Sequence, residues 1–91
     1  MTTQVLQDNP LFQTGYLVDG VWKSLNTTFD VLNPATGEVI ASVAKAGKKE
    51  TEDAIAAASR AFPGWRAKTA KERSAILYRW YELIIENKSW L

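Results

Sequence analysis

The sequence predicts a small α+β arrangement in which short antiparallel strands, one pair of them a hairpin, precede two amphipathic helices. Three observations carry that expectation. Asp19-Gly20 stands between Tyr16-Leu17-Val18 and Val21-Trp22-Lys23, the pattern of a two-residue hairpin. The hydrophobic period changes from two to that of a helix near Lys45-Ala46-Gly47. Further on, Thr69-Ala70-Lys71-Glu72 spells a helix-opening capping box.

The elements follow in order. Residues 1–14 read as an N-terminal arm, without the basic start and apolar run of a secretory signal. Residues 15–44 read as the hairpin and extended strands. Asp-Gly suits a type I′ turn because both central residues need positive φ, which Gly adopts freely and Asp tolerates. Thr28 to Leu32 is the next extended run, with Phe29 and Val31 alternating with Asp30. Asn33-Pro34-Ala35-Thr36-Gly37 punctuates a turn. Val39 to Val43 then makes a strand, with Val39, Ala41 and Val43 on one face and Ile40 and Ser42 on the other.

Residues 45–91 read as a helical pair. Lys48 to Phe62 places Thr51, Ile55, Ala58 and Phe62 on one face, and Pro63-Gly64 is expected to end that helix. Trp65 is expected to anchor the linker. The second helix carries the stripe Ile76, Leu77, Trp80, Leu83 and Ile84 and ends near Asn87-Lys88. Ser89-Trp90-Leu91 reads as the cap and first turn of a further helix. Three or four short strands offer little surface to cover these stripes and ten aromatic residues. The chain is therefore expected to be a fragment, incomplete at its C-terminus.

Composition narrows the chemistry. Ninety-one residues leave room for one small domain, and 46% apolar with 23% charged residues are globular values. A net charge of +1 argues against a dedicated nucleic-acid binder. The charge is uneven: residues 1–44 hold one lysine against four acids, residues 45–91 ten bases against six acids. Cysteine and histidine are both absent, which removes disulfides, Cys/His zinc sites and the commonest nucleophile and general base. The glycines at 15, 20, 37, 47 and 64 write neither G-x-G-x-x-G nor a P-loop. No apolar run approaches a membrane span, and the cytoplasm is the expected location.

The remaining charged groups have structural explanations. Glu50, Glu52 and Asp53 stand at the start of the first helix, where acids favour the dipole. Glu82 and Glu86 lie one turn apart on a solvated face. Arg60, Arg66, Lys68, Lys71 and Arg73 surround Trp65, a pattern that could suggest phosphate contacts beside a stacking ring. The helix junction accounts for them, since cations favour a helix C-terminus. No residue is assigned a catalytic or cofactor-binding role.

One combination is more specific than its parts. LVDGVW, then Asn33-Pro34-Ala35-Thr36-Gly37-Glu38-Val39-Ile40, then Ala61-Phe62-Pro63-Gly64-Trp65 and Thr69-Ala70-Lys71-Glu72-Arg73, resembles the start of the aldehyde dehydrogenases in order and spacing across residues 12–91. Within that family the helical segment is most similar to bacterial succinate-semialdehyde dehydrogenases. The resemblance implies the N-terminal part of the family's α/β fold, a peripheral piece of its cofactor-binding domain. It implies a parent several times longer, in which a cysteine attacks the aldehyde, hydride passes to NAD or NADP and a glutamate-activated water releases the acid. Those groups would lie beyond Leu91, so this chain is expected to be inactive and to bind no cofactor. Its implied partners are the rest of the dehydrogenase chain, with a small aldehyde as the parent's substrate, and self-association is expected of the isolated piece. Some family members hold a monovalent cation with backbone carbonyls before the Asn-Pro turn, which would be those of Val31 and Leu32. The rival reading is a free-standing α+β interaction module without catalysis, whose exposed helix face binds a partner.

Overall fold

A computed structural model describes residues 3–91. The chain divides into two compact units, Met1–Ala57 and Ala58–Leu91.

The first unit opens with a short helix, α1 (Thr3–Asp8), where the sequence predicts only an arm. Asn9 ends it: its backbone N–H donates to the Leu6 carbonyl, and its side-chain Oδ1 accepts from the Leu11 N–H at 2.9 Å. Such an Asx turn is the usual way a chain changes direction before Pro.

Two strand pairs follow. β1 (Tyr16–Val18) and β2 (Val21–Lys23) are antiparallel, with Leu17 opposite Trp22 and Val18 opposite Val21. Asp19 at φ 54° and Gly20 at φ 72° make the turn the Asp-Gly pair predicts. β3 (Thr28–Leu32) pairs with β4 (Val39–Ala44), also antiparallel, in a second two-stranded sheet. Between them the Asn33 Oδ1 accepts from the Ala35 N–H, Gly37 at φ 76° donates its N–H to the Asn33 carbonyl, and the Asn33 N–H donates to the Glu38 carbonyl. The Ala44 N–H donates to the Thr14 carbonyl at 2.7 Å, tying the approach to β1 onto the end of β4.

The strand faces differ from the simple alternation. Val31 pairs with Ala41 but Leu32 pairs with Val39, so Ile40 is the extra residue of a β-bulge. The bulge shifts the phase: Ile40, Ala41 and Val43 are half-buried, whereas Val39 is exposed. Phe29 is exposed as well, and Val31 alone of β3 is half-buried.

α2 (Lys48–Ala67) begins after Gly47, whose carbonyl accepts both the backbone N–H and the hydroxyl of Thr51. The least exposed residues of its N-terminal half are Glu50, Asp53 and Ala57, spaced along one face. The expected stripe lies on another: Ile55 and Phe62 are 61% and 56% exposed. Among the described residues only Val18 and Ala57 are buried.

Pro63-Gly64 does not end α2. Pro63 withholds one donor, from the Ser59 carbonyl, but its φ is helical, and the helix continues for another turn to Ala67. Trp65 therefore lies within α2 rather than in a linker, and the Arg66 guanidinium stacks over the Phe62 ring at 5.7 Å. Thr69, extended at φ −68° and ψ 161°, caps α3 (Ala70–Glu86) with the predicted box. α3 ends where the sequence indicates: the Asn87 N–H donates to the Leu83 carbonyl and its side-chain amide donates there too. Residues 87–90 form a turn, with the Trp90 N–H donating to the Asn87 carbonyl. No residue of α3 is buried.

Candidate functional site

The position the sequence singles out for a ligand is the end of β3. Val31 is half-buried, Leu32 is exposed, and both precede the Asn33-Pro34 turn. The Lys45 N–H donates to the Thr27 carbonyl at 2.9 Å, which sets the phase of the β3–β4 ladder. Hydrogen-bonded and non-hydrogen-bonded pairs alternate in an antiparallel ladder, so Val31, like Thr27, belongs to a hydrogen-bonded pair. Its carbonyl turns toward Ala41 of β4, and the register shifts between Val31 and Leu32. Beside them, Ser42 Oγ donates to Asp30 Oδ1 at 2.8 Å, a cross-strand contact on the exposed face.

The charged clusters resolve into local pairs. Lys49 Nζ stands 2.6 Å from Asp53 Oδ1, and Lys48 Nζ stands 3.9 Å from Glu52 Oε1. The hydrogen bond to Asp53 and that carboxylate's charge push the Lys49 ammonium above its ordinary pKa. On α3, Arg79 Nη1 donates to Glu86 Oε1 at 3.2 Å, which gives Glu86 a cation rather than Glu82 as its neighbour. All three pairs are exposed and contribute little to stability. Of the basic residues near Trp65, Arg66 is occupied by the Phe62 ring. Among the described residues no group of three or more His, Cys, Asp or Glu is placed to hold a metal ion. No helix among them is long and apolar enough to cross a membrane.

The most extensive unpaired feature is apolar. Ile76, Leu77, Trp80, Leu83 and Ile84 all stay 40–62% exposed along one face of α3. Tyr78, Tyr81 and Ile85 form a second exposed stripe, with the two tyrosine rings 5.5 Å apart. A helix apolar on more than one side is characteristic of the interior of a larger protein.

The aldehyde dehydrogenase family model matches residues 22–91. The chain is 53% identical over 85 residues, 91% of its length, to the glutarate-semialdehyde dehydrogenase of Pseudomonas putida, of which it covers 18%. It is 47% identical, with the same coverage of both chains, to the NADP-dependent succinate-semialdehyde dehydrogenase of Escherichia coli. Against the mitochondrial succinate-semialdehyde dehydrogenase of Arabidopsis thaliana it is 47% identical over 98% of its own length and 17% of the relative's. The chain thus spans less than a fifth of the length of these curated relatives. No solved structure matches. The match over residues 22–91, which spans the Asn-Pro turn and the capped helix described above, shows that the chain belongs to the aldehyde dehydrogenase family.

Proposed function

We propose that this chain is the N-terminal structural portion of an NAD(P)-dependent aldehyde dehydrogenase that oxidises a short semialdehyde with a distal carboxylate, succinate semialdehyde first among them. The observation that carries the reading is the family match over residues 22–91. The substrate class is supported by the names of the three relatives described above, one glutarate- and two succinate-semialdehyde dehydrogenases. In the overall reaction the aldehyde and water become the carboxylic acid, and hydride passes to the nicotinamide ring. A chain without cysteine supplies no thiol to attack the carbonyl, so that step belongs to residues elsewhere in the parent.

The work of this segment is then support. The α3 stripe of Ile76, Leu77, Trp80, Leu83 and Ile84 is covered by the remainder of the dehydrogenase, and self-association substitutes for that cover in the isolated chain. A monovalent-cation site belongs to the same proposal. The backbone carbonyls of Val31 and Leu32, just before the Asn33-Pro34 turn, would supply two of its ligands, and the remaining oxygens come from elsewhere in the parent.

The test has two arms. The purified chain, given succinate semialdehyde with NAD and then NADP, is expected to form no NAD(P)H. The source gene, read past codon 91, is expected to continue in frame into a cysteine nucleophile and a glycine-bearing cofactor segment. Turnover by the chain alone, or a stop codon directly after Leu91 with no related frame beyond, overturns the proposal. In the second case the exposed α3 face would favour a free-standing interaction module.

A further inference from the structure

We propose that Asp19-Gly20, at the tip of the β1–β2 hairpin, is a site of spontaneous covalent modification that converts the Asp19 linkage to isoaspartate. The Gly20 amide nitrogen attacks Asp19 Cγ, and a new N–Cγ bond closes a five-membered succinimide as the carboxyl hydroxyl and the amide proton leave together as water. Water then adds to either ring carbonyl. Cleavage of the N–Cγ bond restores aspartate, whereas cleavage at the original peptide carbon leaves the main chain running through Cβ and Cγ. Water is the only co-reactant, and no electron is transferred.

Several observations meet at this turn. Gly20 has no Cβ, and nothing lies within 4 Å of where one would stand, so the ring can close without crowding. Both residues are exposed. Among the described residues the Gly20 N–H donates no hydrogen bond and the Asp19 carboxylate accepts none, which leaves nucleophile and electrophile unengaged. Asp19 is also held at φ 54°, a conformation that costs an L-residue energy. The flanking strands are three residues each and β2 is exposed throughout, so opening the tip to bring the two groups together is inexpensive.

The other aspartates lack this combination. Asp8 ends α1 before Asn9 and has an interaction of its own, Asp30 sits in β3 before the β-branched Val31 and accepts from Ser42, and Asp53 lies inside α2 before Ala54 with its carboxylate on Lys49. The consequence is local and structural. An isoaspartyl linkage adds one backbone atom to a turn closed by the Val18–Val21 pair, and Val18 is one of the two buried residues among those described. The inference does not depend on the dehydrogenase reading.

The experiment incubates the chain at neutral pH in heavy-oxygen water, digests it in ordinary water and resolves the peptide ending at Lys23 by chromatography and mass spectrometry. The expected result is one heavy oxygen gained, placed by fragmentation at Asp19 rather than at Asp8 of the same peptide, a second isomer of identical mass, and a transient species lighter by one water. The isomer accepts a methyl group from protein-isoaspartate methyltransferase. The peptides bearing Asp30 and Asp53 gain neither label nor isomer. Asp19→Glu loses the isomer, because its ring would be six-membered. Asp19→Asn keeps a favoured I′ turn and converts by losing ammonia, which shows the reaction in a folded hairpin. An Asp19 peptide that stays single and unlabelled while a free peptide of the same sequence converts overturns the proposal.

Discussion

The Thr69 backbone N–H donates to Glu72 Oε1 at 2.9 Å while the Glu72 N–H donates to Thr69 Oγ1 at 3.1 Å, so each residue satisfies the other's amide at the opening of α3. The arrangement is reciprocal, and its two halves respond to different perturbations. Thr69→Ala removes the hydroxyl acceptor and is expected to destabilise α3 by ~1 kcal/mol. Loss of far-UV circular dichroism at a lower temperature than in the unsubstituted chain checks it.

The other half responds to pH. The hydrogen bond from the Thr69 backbone, then that from its side chain, holds the Glu72 carboxyl below its ordinary pKa. A depressed folded-state pKa means the stabilisation is fully present above the unfolded value and is lost as pH falls through the folded one. Helicity of α3 should therefore decline on acidification through and below the ordinary carboxylate range. Glu72→Gln retains an acceptor that cannot titrate, and its acid titration should lack this component. Superimposable titrations of the two proteins would remove the cap as the cause.

Gly15 and Gly37 are required for different reasons. A Cβ at Gly15 would run into the Lys23 carbonyl, so Gly15→Ala should separate β1 from β2 and abolish the Tyr16–Lys23 pairing in amide exchange. At Gly37 there is space but φ is 76°, so Gly37→Ala should cost about 1–2 kcal/mol in backbone strain without breaking β3–β4 register.

Pro63 leaves the Ser59 carbonyl without its helical donor. Pro63→Ala should raise the stability of α2, by at most ~3 kcal/mol, and increase amide protection downstream of residue 63. A less helical variant would mean that the proline ring makes a contact the helix depends on.

Much of this architecture is legible because its determinants are local. Asp19-Gly20 dictates its own turn, Asn33 and Gly37 build theirs from one side chain and one positive φ, and the capping box needs only four residues. Where structure and sequence pattern part, the deciding contact is longer in range or the local signal is ambiguous. Pro63 reads as a stop, yet a single missing donor is tolerated when the next turn is otherwise helical. The bulge at Ile40 depends on how β4 meets β3, which alternation within one strand does not encode. α1 is six residues without an apolar period. The α2 stripe is legible as a pattern, but Ile55 and Phe62 remain exposed within this chain. The Val31 and Leu32 carbonyls carry no side-chain signature, because a backbone oxygen is common to every residue.

Ile84 separates a surface residue from one awaiting cover. It is 44% exposed here, so Ile84→Asp should change the unfolding of the isolated chain, diluted until monomeric, by no more than ~0.5 kcal/mol. In a full-length dehydrogenase carrying this segment, the same substitution buries a carboxylate and should cost several kcal/mol, seen as loss of soluble, active enzyme. Equal effects in the two settings would mean that nothing covers the α3 face.

The most direct test of the structural role is a chimera in which this chain replaces the matching segment of the Escherichia coli succinate-semialdehyde dehydrogenase. NAD(P)H formation from succinate semialdehyde would be measured beside the parent enzyme and a truncated parent that lacks the segment. A supporting role predicts an active chimera, an active parent and an inactive, poorly soluble truncation. A truncated parent as active as the whole enzyme, or a soluble chimera with no turnover, would contradict it.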